Sequence, residues 1–415
     1  MMKFISIPGL LAGLCLALAG CATDAHRHGM TAADAAAPSR DRDKMWRETL
    51  ARPSLAVTGT FDEKGWLWTV AIQGQHLRVN HSDDLGVSWS TPVRVNMDAE
   101  NILGDGENRP KIIARNGIVY VSYTQGLAKP MSGNIRFARS VDGGKTFSAP
   151  VTVNDNRDII SHRFEALAVS DKGEIHLAWL DKRAQHDAQS SNIPYRGAAL
   201  YHAVSRDGGA SFGANTKLAD HSCECCRVAM AMDPSGTPVI VWRHVYGKNV
   251  RDHAVLRLDG ASQPQRVAHD NWRIDACPHH GPTLGIAPDG TYHVAWFTGA
   301  TANPGLFYAR SSDAGKHFSA PLAFGNPAAQ AGRPQVLALG ARVWLAWKEF
   351  DGKRAVIRGQ HSRDGGRTFA KPVTLAASEG ASDHPLLISN GARALLSWNS
   401  AAEGLRVLPL SGVQP

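Results

Sequence analysis

Along most of the chain, apolar residues alternate with polar or small ones over short runs, and each run ends at a turn signal. Alternation at a period of two predicts half-buried β-strands. The runs come in pairs: an apolar strand, a Gly- or Asp-containing turn, then a second strand closing on an aromatic. They read LAVTGTFDEKGWLWTV, IIARNGIVYVSYT, ALAVSDKGEIHLAW, VAMAMDPSGTPVIVW, LGIAPDGTYHVAW, VLALGARVWLAW and LLISNGARALLSW. The residue opening each pair recurs too, as Arg52, Arg109, Arg163, Arg227, Gly281, Arg333 and His384, at intervals of 51 to 64 residues. Such a period, with β-branched and aromatic strands and no helical pattern, predicts an all-β chain folded as a β-propeller.

Most repeats continue into a third strand and a turn of the form S-x-D-x-G-x-[ST]-[WF]: SDDLGVSW, SVDGGKTF, SRDGGASF, SSDAGKHF and SRDGGRTF. The aspartate caps backbone N–H groups, the glycine takes a positive φ, and the aromatic packs between strands. With these five Asp-boxes the chain resembles the sialidase-like propellers over roughly residues 50–412. The resemblance implies a single propeller, read here as seven blades with a short last one. Residues 45–52, MWRETLAR, are a candidate strand to close the ring, and six blades plus an irregular seventh is the alternative. In such a propeller the residues before each innermost strand and after each second strand share one face, and the Asp-box turns lie on the other.

Composition refines this picture in three places. About 370 residues are too many for one ordinary core, and a repeat architecture removes that difficulty. The formal charge of +8, with no long Lys/Arg run, favours weak steering of anions and excludes a nucleic-acid role. The opening MMKFISIPGLLAGLCLALAGC resembles a bacterial lipoprotein signal, which implies removal of residues 1–20, lipid on Cys21, and anchoring by acyl chains rather than by a transmembrane helix. Ala22 then favours the outer membrane, facing the periplasm. Residues 21–44 read as a flexible tether, whose His26, His28 and Met30 form a candidate metal handle, and residues 45–415 as the propeller domain.

The candidate chemistry centres on HSCECCR (221–227) and ACPHHGP (276–282). Laying Trp242 on Trp296 places Cys223 on Cys277, Cys225 on His279 and Cys226 on His280, so two adjacent repeats bring thiols and imidazoles together. In extended chain, Cys223 and Cys225 point one way, as do Cys277 and His279, while Cys226 and His280 face the other. Cys226 and His280 are then outer partners or extra ligands; such a set selects Cu(I) or zinc over hard cations, and the expectation is about one copper per chain, bound through Cys223, Cys225, Cys226, Cys277 and one or both of His279 and His280, with zinc as the alternative. The pairing of CxCC with CPHHGP also resembles a branch of these propellers linked to periplasmic copper handling, which implies capture or hand-over of copper and a copper-transport partner in the periplasm or outer membrane. An exported protein also sits where disulfides persist, and four thiols allow three connectivities; that reading stays open. Met131 and His244 lie on neighbouring loops.

The sialidase resemblance implies a second reading. That family clamps a substrate carboxylate with three arginines from inner-strand starts, and Arg109, Arg163, Arg227 and Arg333 occupy such positions, with Arg109 in NRPKI departing from the family's Arg-Ile-Pro pattern. Bidentate arginines suit a carboxylate or an acidic glycan, although a repeated arginine equally suits a repeated structural task. The family's late tyrosine nucleophile has no counterpart, since Tyr308 is the last tyrosine. Asp181 and Glu349 remain as a conceivable carboxylate pair for another glycoside hydrolysis.

Overall fold

The computed structural model describes residues 54–410. Its strands form six antiparallel sheets, of which the eight-stranded one holds two of the successive repeat units. The innermost strands are Val57–Phe61, Lys111–Arg115, His162–Val169, Ala229–Met232, Thr283–Ile286, Gly332–Leu339 and Leu386–Ser389. Each contacts the next, and the last contacts the first, so the units close into a ring. The chain is a β-propeller. The third and fourth units are further joined into one sheet by the pairing of Ser222 with His244. Among the described residues the last unit has three strands; Arg52 and the proposed closing segment 45–52 lie outside the described residues, as do Cys21 and the tether.

The aromatics that close the second strands form the centres of the blades. Trp179, Trp242, Trp296, Trp347 and Trp398 are the largest fully buried side chains, and Tyr123 takes the same place in the second unit. Most are held by their polar tip. Trp179 donates to Asp181 at 2.9 Å, Trp347 to Glu349 at 2.7 Å, and the Tyr123 hydroxyl to Glu100 at 2.8 Å. A buried indole N–H that finds a partner avoids a desolvation penalty of about 1–3 kcal/mol.

The Asp-boxes behave as the residue types require. In the first, Asp84 accepts from the Ser88 N–H at 2.8 Å and from its hydroxyl at 2.6 Å, while the Ser82 hydroxyl bonds the same carboxylate at 2.7 Å. Those bonds, the Ser88 hydroxyl first, hold the Asp84 carboxyl down at about 2. Gly366 has φ +76, and a Cβ there would lie 1.9 Å from the Tyr308 hydroxyl, so the box also fixes how closely one blade seats on the one before it. In the fourth repeat the shorter LRLDGAS (256–262) stands where a box would fall, and Asp259 caps Ser262 in the same way.

Besides a 3-10 turn at Pro327–Ala329, one longer element departs from the strand pattern. Arg183–Ser190, within the long loop 181–197, forms a two-turn helix, α1, with no buried residue. Its sequence, RAQHDAQS, favours helix by composition but has no apolar face, so periodicity could not reveal it.

Candidate metal centre

The segment that carries three of the cysteines is fixed from both sides. Upstream, the strand Thr216–Ser222 pairs with Ala198–Ser205, and the Cys223 N–H donates to the Arg243 carbonyl at 2.8 Å. The loop after α1 folds over this strand: the Tyr195 hydroxyl donates to Asp220 at 2.8 Å, and its ring lies against His221. Gly197 permits that approach, because its φ is +70 and a Cβ would lie 2.0 Å from the Ser222 carbonyl oxygen. Lys182, just before α1, pairs with Glu224 at 2.8 Å.

Extended chain ends at Cys223. A turn at Glu224–Cys225 reverses the direction that strand alternation assigns to Cys226 and brings its Sγ to 3.4 Å from that of Cys223, with Cys225 Sγ at 3.7 Å. The expectation that Cys226 faces away is therefore corrected: it joins the cluster. The ligand atoms fall into two triplets, Cys223/Cys225/Cys226 and Cys225/Cys277/His279, in each of which they lie within 4.8 Å of one another. The first triplet is buried, whereas Cys277 and His279 are half-buried. Among the described residues the four cysteines are free thiols. His280 is in neither triplet: its ring stacks on Phe297 at 4.2 Å. Met131 is exposed, and His244 packs against Tyr246 at 4.4 Å.

The surroundings of the sulfurs are cationic. Arg251 donates to Cys223 Sγ at 3.2 Å. Arg243, 1 % exposed, donates only to the carbonyls of Arg251, His280 and Phe297 and lies over the Trp272 ring. Among the described residues neither arginine forms an ion pair with a carboxylate. The Cys223 thiol is held well below its ordinary range, by hydrogen bonds from Cys225 and Cys226 and then by the charges of Arg251 and Arg243. Burial pushes Cys225 and Cys226 up, while Cys277 is lowered chiefly by a hydrogen bond from Cys225. Buried cations require compensating charge; the Cys223 sulfur lies beside Arg251 and can supply it there, while Asp270 acts on Arg243 at longer range.

The repeat-opening arginines meet a different environment. Glu107, 3 % exposed, sits among their head groups. It accepts from Arg227 Nη1 at 2.6 Å, Arg333 Nη1 at 3.3 Å and the Gly281 N–H at 2.8 Å, with His384 Nδ1 at 3.6 Å. Arg109 pairs instead with Asp383 at 2.8 Å, and Arg163 lies over the Phe164 ring. Gly281, which breaks the run of arginines at repeat openings, has a reason to do so: a Cβ there would lie 2.2 Å from Arg227 Cγ and 2.6 Å from its carbonyl oxygen. Sequence reasoning passed over Glu107; its only signal is an acidic residue two positions before Arg109.

The conceivable catalytic pair does not assemble. Asp181, in the third unit, holds Trp179 and Arg183, and Glu349, in the sixth, holds Trp347 and the Asn326 N–H. Each is committed to its own blade.

No family model matches the sequence, and no curated protein does. Solved structures do match. A protein of unknown function from Dyadobacter fermentans superposes with TM-score 0.50 at 18% identity, over 74% of this chain and 96% of the other. An ulvan lyase of polysaccharide lyase family 25 gives TM-score 0.53 at 11% identity, over 85% and 90%. The intramolecular trans-sialidase of Ruminococcus gnavus gives TM-score 0.47 at 12% identity, over 76% and 99%. At these identities the likeness is one of fold.

Proposed function

We propose that the protein binds a soft metal ion, Cu(I) ahead of zinc, through Cys223, Cys225, Cys226, Cys277 and His279, and that it captures or hands over copper as a lipoprotein anchored through Cys21 and facing the periplasm. The observation that carries this reading is the pair of buried arginines, Arg243 and Arg251, with no carboxylate partner among the described residues, beside four free thiols. Disulfides would remove the negative charge that these cations require; thiolates on a metal retain it. Thiolate and imidazole ligands select Cu(I) or zinc. Because ligands must lose protons to bind, affinity falls as pH drops. Metal analysis of protein purified from copper-supplemented cells tests the reading: bound copper supports it, bound zinc keeps the site and changes the biology, and metal-free protein overturns it. Replacing Cys21 by Ser tests the anchor, and unchanged localisation would remove that part.

A second reading, sialidase-like glycoside hydrolysis or glycan binding at the arginine-lined face, is favoured by the neighbours in fold, among them a lyase of the polysaccharide ulvan. Against it, Glu107 already occupies the head groups of Arg227 and Arg333. Turnover of a fluorogenic sialoside that is abolished by Arg109→Ala would restore it.

A further inference from the structure

The thiols and the imidazole do not surround a single point. They form two triplets, and Cys225 is the one member common to both. A soft monovalent ion needs no more than two or three such ligands, so each triplet is a complete site by itself, and a thiolate has the lone pairs to bridge two ions.

Resting on the metal reading above, we infer that the centre holds two Cu(I) ions bridged by the Cys225 thiolate, an inner one on Cys223, Cys225 and Cys226 and an outer one on Cys225, Cys277 and His279. Each thiol releases its proton to solvent as its sulfur binds, and no electron is transferred. The outer position has the half-buried ligands and is where copper arrives and leaves; the inner position is sealed in the core and holds its ion more tightly.

The test is anaerobic titration of the reduced protein with Cu(I) against the chromophoric chelator bathocuproine disulfonate, together with copper X-ray absorption. The wild type is expected to saturate at about two equivalents and to show copper–copper scattering. Cys277→Ser, a change at a half-buried loop position, is expected to lower saturation to about one equivalent, to abolish that scattering, and to leave the tighter ion in place. His279→Ala should act in the same direction and guards against misfolding of the first variant. Saturation of the wild type at one equivalent without copper–copper scattering overturns the bridged pair and leaves the metal reading intact. Loss of all copper in Cys277→Ser also overturns it, since the ligands would then serve one site, and a wild type that takes up no copper overturns both.

Discussion

Two groups of buried or half-buried cations lie in this propeller, and they differ in what balances them. Arg227 and Arg333 share Glu107, and Arg109 has Asp383; the chain carries its own counter-ions there. Among the described residues Arg243 and Arg251 hydrogen-bond to carbonyl oxygens and a sulfur and form no ion pair, Arg243 also lies over a ring face, and Asp270 acts on it only at longer range. A cation neutralised by a carboxylate from its own chain is part of the scaffold, because the pair is already satisfied. A cation facing ionisable thiols is matched only when those thiols ionise, which couples the fold to whatever the thiolates hold. The repeated arginines that resemble a substrate clamp are thus the better explained by architecture, and the arginines of the fourth unit are the ones on which the proposed metal site depends.

That comparison can be broken at several points. The largest effect is expected at Glu107. Glu107→Gln keeps the shape but leaves Arg227 and Arg333 without their anion, and breaking a buried pair from one side costs about 3–5 kcal/mol. The denaturant midpoint should fall with little change in m; an unchanged midpoint would mean that the central arginines do not depend on Glu107. Arg251→Gln should do the reverse. It removes the guanidinium that donates to Cys223 Sγ, so metal affinity should fall by about 10–100-fold, as for other groups that support metal ligands, with a smaller loss of stability. A competition titration that finds equal affinity would separate Arg251 from the site.

The smallest effect concerns the opposite face. The Asp84 carboxyl is lowered from 3.8 to about 2, chiefly by the Ser88 hydroxyl. A depressed carboxyl contributes stability that is fully present above its ordinary value and is lost as pH falls through the lowered one. Unfolding midpoints should therefore decline between pH 4 and pH 2, and Asp84→Asn should flatten that decline slightly, its side chain being solvent-screened. Metal affinity should not change, and a change would contradict the separation of the two faces.

How far the sequence reaches follows from the range of each interaction. The Asp-boxes, the closing tryptophans and the strand pairs are local, so spacing alone reveals them: Ser82, Asp84, Gly86 and Ser88 lie within seven residues and bond one another. The meeting of Cys225 with Cys277 was legible because two repeats could be superimposed. The reversal of Cys226 was not, since alternation holds only while the strand lasts, and the turn at Glu224–Cys225 ends it. Glu107 was hidden for another reason: its partners Arg227 and Arg333 lie 120 and 226 residues away. Arg243 lies within the strand Pro238–Tyr246 and Arg251 at the start of Val250–Arg257, and nothing in either run marks a cation that forms no ion pair with a carboxylate.

The central claim is that the four thiols are metal-binding thiolates rather than cystines. Its most direct test is differential alkylation and mass spectrometry of the mature chain, as purified and after denaturation with a chelator. Cys223, Cys225, Cys226 and Cys277 are expected to be protected in the native metal-loaded protein and all to be alkylated once unfolded and stripped, with no reductant added. Disulfide-linked peptides joining these cysteines, with no metal released, would contradict it.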